Sequence, residues 1–135
     1  MTDESIRDSR ILIVEDDADN VHLLELFFET SGFTNVHATS DARNVDTLVA
    51  EIEPALILLD LHMPHVDGLE VMRRIQEAVP GHEIPTIVMS GDISPENQRA
   101  GEKIGATDFL GKPYEMSALL DKVEAALSET TQTSN

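Results

Sequence analysis

Ala55-Leu56-Ile57-Leu58-Leu59-Asp60 is the stretch on which the fold turns: an unbroken apolar run that stops at a carboxylate. A strand with one solvated face alternates apolar and polar residues, whereas an unbroken run suits a strand covered on both faces. Pro54 closes whatever precedes the run, and the loop His62 to Asp67 follows it, with Pro64 unable to continue a ladder. The same pattern occurs near the start of the chain, where Ile11 to Val14 runs straight into Glu15, Asp16 and Asp17. Two such strands separated by a helical segment predict a parallel α/β sheet.

The remaining segments fit this frame. Between the two runs, Val21, Leu24, Phe27 and Phe28 fall near helical spacing before the stop at Ser31-Gly32. A weak strand is expected over residues 35–38. A helix capped by Ser40 or Asp41 follows, with Val45, Leu48, Val49 and Ile52 as its buried stripe. Beyond Asp60, Val71, Met72, Ile75 and Val79 mark a third helix and Thr86 to Met89 a fourth strand. Ser94-Pro95 reads as a helix start, with proline in the first turn. A mostly polar helix over 95–104 leads to a short strand over 107–110. Leu119, Leu120, Val123 and Leu127 then belong to a last helix. Five strands thus alternate with five helices.

The chain has 135 residues, 41% hydrophobic and 26% charged, which is enough for one domain with its own core. Residues 1–8 and 129–135 are polar without an apolar period, so they are expected to be flexible ends around a domain at 9–128. Cysteine is absent, which excludes disulfides and thiolate metal sites. No apolar run approaches the roughly 18 residues that a membrane span needs, and the polar N-terminus does not read as a signal peptide. The expected location is the cytoplasm. A formal net charge of −17 argues against direct binding to nucleic acid and favours basic partners or divalent cations.

Polar residues gather where strands end, at Glu15-Asp16, Asp60, Ser90 and Lys112. In an open parallel sheet the strand carboxyl ends share one edge, and ligands bind there. Carboxylates brought together repel, and a hard divalent cation such as Mg²⁺, which prefers oxygen ligands, relieves that repulsion. Lys112 adds a positive charge and Ser90 a hydroxyl, completing a set suited to phosphoryl transfer onto a carboxylate. Asp60 is the best acceptor, because the most apolar strand holds it.

The segments Val14-Glu15-Asp16-Asp17, Leu59-Asp60-Leu61-His62-Met63-Pro64-His65-Val66-Asp67-Gly68, Met89-Ser90-Gly91 and Lys112-Pro113 closely resemble the response-regulator receiver family, in its order and spacing from about Arg10 to Leu127. The resemblance implies a flavodoxin-like (βα)5 fold with strand order 2-1-3-4-5. It implies that Asp60 is the phosphoacceptor. Mg²⁺ (or Mn²⁺) would be held by Glu15, Asp16, Asp60 and the backbone carbonyl of His62. Ser90 and Lys112 would bind the phosphoryl group, and Phe109 would swing inward as the switch is thrown. Gly68 and Pro113 would be structural, with a cis bond before Pro113. The implied partners are a histidine kinase or histidine phosphotransfer protein and a downstream protein target, and a phosphorylation-dependent dimer is left open. With nothing resembling an effector domain after Leu127, output is expected to pass through a partner or by onward phosphotransfer. The chain would be a signalling switch rather than an enzyme. Glu15 stands where many members have aspartate and Ser90 where many have threonine. Phe109 lacks the hydroxyl of the tyrosine often found at its position.

Blander readings stand beside these. Glu15-Asp16-Asp17 alone could simply cap a helix, and Asp60 alone could be an ordinary loop aspartate. The joint pattern outweighs both, with Asp17 the acid most open to the capping role. His62 and His65 lack the third ligand that a transition-metal site needs. A receiver-like interaction module independent of phosphorylation is the main rival. A hydrolase or flavin protein of similar fold lacks a glycine-rich phosphate loop or serine elbow to support it.

Overall fold

The computed structural model describes residues 6–60, 68–79, 83–91, 94–103 and 105–133. In chain order these form β1 (Ile11–Val14), α1 (Ala18–Thr30), β2 (Val36–Thr39), a 3₁₀ turn (Ala42–Asn44), α2 (Val45–Ile52), β3 (Leu56–Asp60), α3 (Gly68–Ala78), β4 (Thr86–Ser90), α4 (Pro95–Lys103), β5 (Asp108–Gly111) and α5 (Met116–Thr133). The strands make one parallel sheet in the order β2-β1-β3-β4-β5, as expected.

The period-two alternation of strand side chains divides the core between the two faces. On one face Ile11, Ile13, Leu56, Leu58, Ile87 and Met89 pack with Leu24 and Phe28 of α1 and with Leu119, Val123 and Leu127 of α5. On the other, Leu12, Val14, Ile57, Leu59 and Val88 pack with Val45 and Val49 of α2 and with Val71, Met72 and Ile75 of α3. Every residue of β1, β3 and β4 is buried, which is why those strands read as continuous apolar runs. Phe28 meets Phe27 and Phe33 edge-on, with ring centroids 5.5 and 5.4 Å apart. Leu23 and Leu26 lie on the outer side of α1 and are half exposed.

Two boundaries differ from expectation. Ile6 is only 1% exposed and belongs to the α1–α5 face of the core, so ordered structure begins before residue 9. Arg7 secures this segment. Its Nε donates to the Ser31 carbonyl at 2.9 Å, its guanidinium pairs with Glu124 at 2.9 Å, and it lies 4.4 Å from the centroid of the Phe33 ring. At the other end α5 continues to Thr133, past residue 128. The strands also reach further than their apolar runs. The ladder carries β3 onto Asp60, opposite Met89, and β4 onto Ser90, opposite Gly111. β2 and β5 are each displaced by one residue, to Val36–Thr39 and Asp108–Gly111.

Candidate functional site

The C-terminal edge of β1, β3, β4 and β5 brings the predicted residues together. Glu15 directly follows β1, and its N–H donates to the Thr39 carbonyl at 3.1 Å, extending the β1–β2 pairing by one step. Its side chain is buried. Asp16 is half-buried beside it. The next residue, Asp17, is exposed and caps α1, its Oδ1 accepting from the Asp19 N–H at 2.9 Å. The blander reading therefore holds for Asp17 and for it alone among the three.

Asp60 ends β3 at 1% exposure. Oxygen atoms of Glu15, Asp16 and Asp60 lie within 4.8 Å of one another. Lys112 follows β5 and is held twice. Its backbone N–H donates to the Ser90 carbonyl at 2.8 Å, and its Nζ donates to Asp60 Oδ2 at 2.8 Å. Ser90 is buried at the end of β4, the neighbouring strand, one step beyond the residue opposite Asp60. The Lys112–Pro113 bond is cis. Phe109, on β5, packs against the α2–α3 face of the core. Gly68 begins α3. His62, and with it Met63, Pro64, His65 and Asp67, lies outside the described residues.

The electrostatics are unbalanced. Among the described residues three acids face one ammonium, and burial, reinforced by the hydrogen bond and charge of Asp60, pushes the Glu15 carboxyl up to about 8. At neutral pH the cluster thus holds a proton that a cation is able to replace. The donor set suits that exchange: every side-chain ligand is a carboxylate oxygen, as Mg²⁺ and Mn²⁺ prefer, and among the described residues no imidazole accompanies them. Tyr114, which the sequence reading did not single out, stands near this cluster. Its hydroxyl pKa is raised by burial and then by the charges of Glu15 and Asp60. Its position immediately after Lys112-Pro113 was the available signal.

The model of the response regulator receiver domain matches residues 11–124. The chain belongs to this family. Among curated proteins, the receiver is 34% identical over 122 residues to response regulator MprA of Mycolicibacterium vanbaalenii, covering 90% of this chain and 52% of that protein. It is 33% identical over 129 residues to sensory/regulatory protein RpfC of Xanthomonas campestris, covering 94% of this chain and 18% of that protein. The receiver thus spans about half the length of MprA and a smaller part of RpfC. Among solved structures, a CheY-like receiver domain protein from Methanospirillum hungatei aligns with a TM-score of 0.84 at 26% identity, covering 93% of this chain and 98% of that one. The receiver domain of sensor histidine kinase PA1611 from Pseudomonas aeruginosa, described with a magnesium ion coordinated in its active-site cleft, shares the fold at a TM-score of 0.78 and 22% identity, covering 90% of this chain and 98% of that one. As a receiver domain, the chain is a module of two-component signalling. None of its described helices is long and apolar enough to cross a membrane.

Proposed function

We propose that this receiver is a cytoplasmic phospho-switch in which Asp60 accepts a phosphoryl group from a phosphohistidine on a histidine kinase or phosphotransfer protein. The observation that carries this reading is the placement of Asp60: a buried carboxylate, held by Lys112 at 2.8 Å, inside a cluster of three acids. In the transfer the N–P bond of the donor breaks and a bond forms from phosphorus to an Asp60 carboxylate oxygen. The imidazole leaves with the electron pair.

Each residue has a task in that step. Lys112, gripping one oxygen of Asp60, fixes the orientation of the carboxylate and stays close enough to neutralise charge on the incoming group. Glu15 and Asp16, with Asp60 and the carbonyl of His62, would hold Mg²⁺ or Mn²⁺. That ion, when bound, supplies electrophilic stabilisation of the phosphoryl oxygens. Ser90, buried at the end of the adjacent strand, would donate its hydroxyl to the transferred group. Phe109 lies three residues before Lys112 on β5 and follows their movement, repacking the surface of α4, β5 and α5 that a downstream protein reads.

The test is intact-mass measurement after incubation with Mg²⁺ and acetyl phosphate. The parent chain is expected to gain one phosphoryl group, removable at alkaline pH as an acyl phosphate is, and Asp60→Asn is expected to gain none. Labelling that persists in Asp60→Asn would move the acceptor elsewhere. A parent that ignores both reagents would leave a phosphorylation-independent interaction module.

A further inference from the structure

We propose that Gly101 is a positioning residue for Phe109: by having no side chain, it forms the seat on α4 in which the ring of the β5 aromatic rests. The inference builds on the phospho-switch reading and extends it to one residue of α4.

Gly101 is buried in the third-last position of α4, and its φ lies outside the left-handed region. Nothing in the backbone conformation calls for glycine, and glycine inside a helix is destabilising relative to alanine. Space calls for it instead. A Cβ at Gly101 would stand 2.6 Å from Phe109 Cζ and 3.0 Å from Cε2. Carbon atoms in contact prefer about 3.5–4.0 Å, so any side chain here is incompatible with the ring where it lies.

The surroundings decide which part would yield. The Gly101 carbonyl accepts from the Ala106 N–H at 3.0 Å, tying the end of α4 to the turn before β5. Phe109 is itself paired in register with Val88. Both backbones are anchored, whereas the contact falls on the far end of a ring that turns about its own side-chain bonds. An added methyl group therefore displaces the ring. The seated ring coexists with the Lys112–Asp60 ion pair three residues along the same segment, so the two belong to one arrangement of β5. Unseating the ring withdraws support from that arrangement and favours the one reached on phosphorylation.

The full chain, carrying isotope-labelled phenylalanine rings, tests this by NMR. The Phe109 resonance is assigned by its loss in Phe109→Leu, and Asp60 modification by Mg²⁺ with acetyl phosphate is followed in parallel by mass. In Gly101→Ala without phosphodonor, the Phe109 resonance is expected to shift from its parental position toward the one the parent takes when phosphorylated. Phe27, Phe28 and Phe33 are expected to stay in place. A Phe109 resonance unmoved in Gly101→Ala would overturn the seat. If the parent is modified on Asp60 while Phe109 does not move, the aromatic switch reading falls and the inference falls with it, although the acceptor assignment stands. Should Gly101→Ala fail to fold, the double variant Gly101→Ala/Phe109→Leu, which lacks the end of the ring, is expected to recover parental thermal stability. Failure to recover would equally overturn the proposal.

Discussion

Removing the proton from Glu15 should control how tightly the site takes a divalent cation. The carboxyl is raised from 4.5 to about 8, first by burial and then by Asp60, so a cation arriving at neutral pH competes with a bound proton. With a pKa near 8, about one part in a hundred is ionised at pH 6 and half at pH 8. Apparent Mg²⁺ affinity should therefore rise by up to about fiftyfold between pH 6 and 8, and by less than about twofold from pH 8 to 9. Folding stability moves the other way. Between pH 4.5 and about 8 the folded chain keeps a proton that the unfolded chain has lost, so stability without divalent cations falls as pH rises through that window and then levels off. The loss is on the order of a few kcal/mol. Both effects are open to one optical probe. Tyr114 is the sole tyrosine, there is no tryptophan, and the ring sits within electrostatic reach of Glu15 and Asp60. Its fluorescence is to be titrated with MgCl₂ at a series of pH values, in the parent and in Glu15→Gln. The variant should bind with nearly constant affinity across the range and lose the stability slope. A parent with equal affinity at pH 6 and pH 8, or a variant with the parental slope, would refute the reasoning.

Two further outcomes follow from the packing. Ile6→Ala should cost about 2–3 kcal/mol in chemical denaturation, the low end for a buried isoleucine because a residue near a chain end has freedom to relax. A value near zero would mean that the segment frays as its polar neighbours suggest. Lys112→Met leaves Asp60 buried without its ammonium and should cost about 1–3 kcal/mol, below the range for a fully buried pair because the lysine is partly exposed. Added Mg²⁺ should recover part of that loss, as measured by the shift in denaturation midpoint.

The sheet was readable because parallel strands covered on both faces carry no polar residues to interrupt the pattern, as in Leu56 to Leu59 and Ile11 to Val14. Asp60, Glu15, Asp16, Ser90 and Lys112 were readable for a related reason: each is a polar residue at the end of such a run, and parallel strands end on a common edge. Other features depend on contacts between residues far apart in the chain, and no local pattern carries them. Ile6 is a lone apolar residue in a polar stretch, buried because Arg7 reaches Ser31 and Glu124 across the fold. Tyr114 carries no mark in its local hydropathy, and only the strand edge brings it near Glu15. Gly101 stands in a mostly polar helix with no local pattern to mark it, and only the Phe109 ring gives it meaning. The strand ends moved by a residue because ladder pairing, unlike hydropathy, does not stop where the apolar residues do.

Lys112 is bolted to β4 through its amide and to β3 through its ammonium, while its own chain continues directly from β5. One residue therefore staples three adjacent strands at the edge where the acids gather. In the proposed switch, a change in the load on the ammonium reaches the backbone that carries Phe109 with no relay through the interior, so the arm of the lever is three residues long.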